Sequence, residues 1–92
     1  MLTENKILEL EKTANDIRMS IIEMLLEAKS GHTAGPLGMA DIFTLFYFHT
    51  LKHDPKNPSW LDRDRVVLSN GHICPVLYAA MAYSGYFPVE EL

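Results

Sequence analysis

The chain has 92 residues, of which 48% are hydrophobic, and a formal net charge of −4 at pH 7. This size predicts one small domain with a modest core, and the hydrophobic share excludes a disordered chain. The sequence has no basic run that would favour nucleic acid and no apolar stretch of membrane-spanning length, so we expect a cytoplasmic protein that binds neither.

Apolar periodicity predicts two helices in the first half of the chain. Over residues 7–28 the apolar positions recur at steps of three and four, which is typical of one face of a long helix. Thr3 is a suitable N-cap and Gly31 a suitable stop. Residues 39–51 are apolar almost throughout, which predicts a helix buried on most sides. Because so short a chain has little with which to cover this helix, we expect partners to cover it. Residues 52–64 form a polar connector.

The second half of the chain predicts a strand followed by a helix. Residues 65–69 combine β-branched and apolar side chains, as in a strand covered on both faces of a parallel sheet. A helix is predicted from Cys74 to Ser84, ended by Gly85, and residues 88–92 resemble the start of another helix. The strand has no neighbour within the chain. We therefore predict an α/β fold, a helix-rich fragment with one buried-type strand, that forms a single partial domain over residues 1–92.

Two glycine–histidine turns are the candidate site. Ser30-Gly31-His32 and Ser69-Asn70-Gly71-His72 each follow an apolar element. Strand, glycine turn and helix is the arrangement with which α/β proteins bind ligands at the carboxyl ends of strands. It predicts that His72 lies beside a ligand whose anionic group meets the N–H groups at the helix start. A purely structural turn histidine is the alternative.

A metal site is not predicted. His49 and His53 are four residues apart at a helix end, a spacing that permits shared coordination, but no third ligand is evident.

These motifs resemble the transketolase family. Residues 30–41 (SGHTAGPLGMAD) are similar to its early Ser-Gly-His segment, and residues 51–60 and 62–72 to its next block. The resemblance runs from about residue 7 to residue 92. The variants at 33–35 and 71–75 look most like the N-terminal subunit of split transketolases, in which the usual chain is divided into two polypeptides.

The resemblance implies a thiamine diphosphate-binding domain and transfer of a two-carbon ketol unit from a ketose phosphate to an aldose phosphate. It implies that His32 contacts the sugar-phosphate donor and assists catalysis. It implies that His72 lines the thiamine diphosphate pocket, and that Gly31 and Gly71 shape the two turns. The coenzyme carries the difficult chemistry, while the protein orients reactants and manages protons.

The chain also departs from the family pattern. Thr33 and Ala34 stand where proline and glycine are usual. The Gly-Asp-Gly motif that holds Mg²⁺ does not occur, nor does the glutamate that activates the coenzyme. We therefore expect no metal ligand in this chain, no activity from the chain alone, and partners in the remaining N-terminal domain and a C-terminal transketolase subunit, in a homo- or hetero-oligomer.

Two other functions remain open at this stage. One is a related thiamine enzyme of the deoxyxylulose phosphate synthase type, although residues 62–72 follow the transketolase pattern. The other is a non-catalytic helical module that docks on a partner through residues 42–51.

Overall fold

A long amphipathic helix opens the fold. The computed structural model describes residues 3–28 and 34–92, and α1 spans Glu4–Ala28. The Lys6 N–H donates to Thr3 Oγ1 at 3.1 Å, so the predicted N-cap is confirmed. Ile17 and Ile21 on the inner face are fully buried, as the periodicity predicts. The predicted stop at Gly31 lies outside the described residues.

Three short helical segments follow. They are α2 (Ala34–Gly38), α3 (Ala40–Leu45) and a π-helical turn (Phe46–Thr50), in which the Leu51 N–H donates to the Phe46 carbonyl at 2.8 Å. One side of α3 and the π-helical turn is buried and the other exposed: Ile42 is 43% exposed. The described chain covers only one side of this segment, so burial on most sides would require polypeptide outside the described chain, as the sequence predicts.

Two hydrogen bonds join the ends of the connector that follows residue 51. The Asp64 N–H donates to the Lys52 carbonyl at 2.6 Å, and the Lys52 N–H donates to Asp64 Oδ2 at 2.7 Å. The segment between them therefore forms a closed loop on the surface.

The predicted strand is absent, and the α/β class is wrong for the described structure. Residues 65–69 have no regular secondary structure, and no β-strand occurs anywhere in residues 3–28 and 34–92. Val67 is 90% exposed, so the segment is not of the buried type either. A strand needs a neighbour to pair its N–H and C=O groups, and a β-branched pattern does not supply one. The described fold is helical.

The last helix completes the core. A single 3-10 turn (Gly71–Ile73) leads into α4 (Cys74–Ser84), whose predicted bounds are confirmed. Gly85 has φ 110°, and the N–H groups of Gly85 and Tyr86 donate back to Ala82 and Met81, as in a Schellman cap. A final 3-10 turn spans Val89–Glu91.

The core lies where α1, α3 and α4 meet. The buried side chains of this cluster come from all three helices and their neighbouring turns: Ile17, Ile21, Ala40, Phe43, Tyr47, Ile73, Val76, Ala79 and Ala80. Small alanine side chains on α4 permit close helix approach. Among the described helices, none combines the length and hydrophobicity that crossing a bilayer requires.

Candidate functional site

The turn that carries His72 is organised by Asn70. The Asn70 side-chain oxygen accepts from the His72 N–H at 3.1 Å, and the Asn70 carbonyl accepts from the Ile73 N–H at 3.3 Å. Both bonds fold residues 71–73 into a 3-10 turn, after which Pro75 occupies the first turn of α4 without needing an N–H partner. This role of Asn70 was not predicted from the sequence, although asparagine before a helix start is a recognised N-cap signal.

These bonds bear on one prediction about the helix start. The N–H groups of His72 and Ile73 are bonded to Asn70, and that of Cys74 is bonded to the Gly71 carbonyl. An anion cannot take those three donors without breaking the turn. The turn itself already uses these three N–H groups, which does not favour the predicted contact of an anion with the backbone of residues 72–74.

His72 and Gly71 lie on the surface of the molecule. Both are exposed, and a Cβ built on Gly71 would meet none of the described atoms within 4 Å. Both residues therefore lie at the surface of the described part of the chain.

Helix α2 packs directly against this turn. A Cβ built on Gly35 would lie only 2.7 Å from Ile73 Cγ2, a contact closer than real Cβ atoms make. Gly35 follows His32 by three positions, and Ile73 follows His72 by one. His32 and Gly31 lie outside the described residues. The chain just after each histidine nevertheless meets at one place.

Cys74 and Tyr78 lie next to His72 along α4. A hydrogen bond with the Cys74 thiol raises the pKa of the exposed Tyr78 hydroxyl. The two side chains are four residues apart and therefore share one helix face. They give the surface beside the turn two weakly polar groups.

The other polar cluster is separate from this turn and is structural. His53 Nε2 lies 2.7 Å from the Tyr47 carbonyl, so that nitrogen must donate, and Nδ1 then accepts from the Tyr86 hydroxyl, also at 2.7 Å. Burial raises the pKa of Tyr47 to about 12. A cavity of about 400 Å³ adjoins this cluster, with Arg63 and Val66 in its wall.

No metal centre is found among residues 3–28 and 34–92, where no three His, Cys, Asp or Glu side chains are grouped to hold an ion. The ring nitrogens of His53 are both hydrogen-bonded, which leaves the pair His49 and His53 unsuited to coordination.

Residues 10–92 match the family model described as "Transketolase, thiamine diphosphate binding domain". The chain is 48% identical over 83 residues to Transketolase 1 of Escherichia coli (strain K12), covering 89% of this chain and 12% of that protein. It is 45% identical over 85 residues to the 6-deoxy-6-sulfo-D-fructose transketolase subunit SqwG of Clostridium sp. (strain MSTE9), covering 92% of this chain and 31% of that subunit.

A plant relative extends the comparison. The chain is 43% identical over 81 residues to Transketolase-1, chloroplastic, of Arabidopsis thaliana, covering 88% of this chain and 11% of the relative. The chain thus spans between about a tenth and a third of the length of these relatives. Because the family model matches nearly the whole chain, the chain belongs to the transketolase family, within its thiamine diphosphate-binding domain.

Proposed function

We propose that this chain supplies His32 and His72 to the active site of a transketolase that uses thiamine diphosphate. The reaction is transfer of a two-carbon ketol unit from a ketose phosphate to an aldose phosphate. The observation that carries the proposal is the 2.7 Å approach of the Gly35 Cβ position to Ile73. This contact joins the segment after His32 to the segment after His72.

The residues present fit part of a coenzyme site. Gly71 and His72 both lie at the surface of the described chain, which suits a wall of the pocket. We expect the Mg²⁺ ligands to come from polypeptide outside this chain. Magnesium requires several oxygen ligands, and it bridges protein to phosphate oxygens. The chain alone is therefore inactive in this proposal.

Each histidine has a distinct task in the assembled site. The coenzyme, when bound, supplies the electron sink for cleaving and forming the carbon–carbon bond. His32, as a neutral imidazole, exchanges protons with hydroxyl groups of the sugar donor. A ring N–H of His72 donates to oxygen on which negative charge develops in the transition state.

The proposed partners are the rest of the thiamine diphosphate-binding domain and a C-terminal transketolase subunit, in a cytoplasmic oligomer. One relative is itself named a transketolase subunit, which supports a divided enzyme. Exposed apolar side chains on α1, among them Met19 at 62% and Leu26 at 75%, support burial against further polypeptide.

The test replaces each histidine in the assembled enzyme. His32→Ala and His72→Ala are expected to lower kcat for ketol transfer by about 10²- to 10⁴-fold, which is the usual contribution of a positioned acid or base. His49→Ala is the matched control, since His49 is exposed and stands outside the proposed site. The thermal midpoint should stay unchanged in all three variants.

Unchanged turnover in both test variants would refute the assignment. It would favour the second candidate, a non-catalytic docking module. One observation supports that candidate: Ile42, Leu45 and Phe46 on α3 and the adjoining π-helical turn are between 36% and 43% exposed.

A further inference from the structure

We infer that Gly35 is a positioning residue, whose missing side chain lets Ile73 dock and thereby sets the His72 turn against the segment that carries His32. The inference rests on the proposed function, since that function assigns both histidines to one site. Gly35 itself contacts neither substrate nor coenzyme in this account.

The contact leaves no room for even one methyl group at position 35. The Cβ position of Gly35 lies 2.7 Å from Ile73 Cγ2, whereas ordinary carbon contacts are about 3.5 to 4.0 Å. Ile73 is 8% exposed and belongs to the buried core cluster. The contact therefore ties α2 to the core next to His72.

Ile73 cannot yield cheaply to a new methyl group. Cγ2 is bonded directly to Cβ, so it moves only if χ1 changes or the backbone shifts, and β-branched side chains are stiff at χ1. Close packing in the core opposes either movement. An alanine at position 35 must therefore displace α2, the 3-10 turn or both, and so change how α2 packs against the His72 turn.

Gly38 provides a matched control within the same helix. It ends α2, three residues after Gly35, and a Cβ built on it meets no atom of the described residues within 4 Å. The substitutions Gly35→Ala and Gly38→Ala add the same methyl group to the same helix. Only the methyl group of Gly35→Ala meets Ile73. Any difference in Kd or kcat between the two variants therefore reports this contact and not helix propensity.

The experiment uses the assembled enzyme with Mg²⁺ and measures the Kd of thiamine diphosphate by titration calorimetry, together with kcat and the thermal midpoint. We expect Gly35→Ala to raise Kd about tenfold. We expect kcat to fall by about 10²-fold, which is the effect of misplacing a catalytic group by about 1 Å. Gly38→Ala should stay within about twofold of the parent protein in both quantities, because its methyl group displaces nothing.

Removing the opposing side chain should rescue the variant. The double variant Gly35→Ala/Ile73→Ala relieves the contact. Its Kd for thiamine diphosphate should therefore lie below the value expected by adding the effects of the two single variants. If Gly35→Ala alone does not fold, recovery of folding in the double variant supports the contact. In the parent protein, an NMR contact between the Gly35 Hα and the Ile73 Cγ2 methyl should be strong.

Two results would overturn the inference: equal Kd and kcat in Gly35→Ala and Gly38→Ala, or no NMR contact between Gly35 and Ile73. Failure of the proposed function looks different. In that case His72→Ala would retain full turnover in the same assay, whatever Gly35 does.

Discussion

The Asn70 cap gives the sharpest test of how the His72 turn is held. Asn70→Ala removes the 3.1 Å bond from the His72 N–H, while the 3.3 Å bond to the Asn70 carbonyl remains. Both residues are exposed, so water can take the freed N–H. The loss of unfolding free energy should therefore be about 0.5 to 1 kcal/mol, the low end for a lost N-cap. With an m value of about 1.5 kcal/mol/M, the urea midpoint falls by about 0.5 M.

Asn70→Asp separates the cap from the charge. Aspartate caps as well as asparagine, so the urea midpoint should be that of the parent chain. In the assembled enzyme, its negative charge would repel a diphosphate bound beside this turn, so Kd for thiamine diphosphate should rise, by about tenfold for a repulsion of about 1.4 kcal/mol. An unchanged midpoint in Asn70→Ala would refute the cap, and an unchanged Kd in Asn70→Asp would refute an anion beside this turn.

Three further predictions concern stability. Gly85→Ala should cost about 1 to 2 kcal/mol in thermal denaturation, because φ of 110° strains any side chain, and an unchanged midpoint would contradict the left-handed cap. Ser20→Ala should lower the free energy of unfolding in urea by about 1 kcal/mol because it breaks the 2.8 Å hydrogen bond to the Tyr83 hydroxyl. The same loss in a Tyr83→Phe background would show that this hydrogen bond is not its cause. Burial raises the Tyr47 pKa from 10.0 to about 12, so the unfolded chain loses this proton first and stability falls between those pH values. The free energy of unfolding of Tyr47→Phe should fall less steeply between those pH values.

Local signals in the sequence predicted the long helices well. Thr3 caps α1, the central residues of the three–four apolar spacing (Ala14, Ile17 and Ile21) are buried, and Gly85 ends α4 with a left-handed residue. Each of these features is decided by residues within a few positions of one another. Backbone sterics and short-range hydrogen bonds suffice to fix them.

Features that depend on distant residues were not predictable. The prediction of a strand at residues 65–69 was wrong because a strand needs a neighbouring segment with which to pair. A Val-Val-Leu run shows only that the segment would suit a sheet. The contact of Gly35 with Ile73 joins positions 38 residues apart (73 − 35) and leaves no periodic signature. The donors at the start of α4 were predicted to bind an anion, yet the turn itself uses them.

The central claim is that the segment carrying His32 and the turn carrying His72 belong to one site. A nitroxide attached through His32→Cys, in a Cys74→Ser background, tests it by NMR against the diamagnetic form of the same label. The account predicts that the His72 ring signals are broadened strongly by the nitroxide. Ring signals of equal intensity with both labels would contradict the account, because the two segments would then lie far apart.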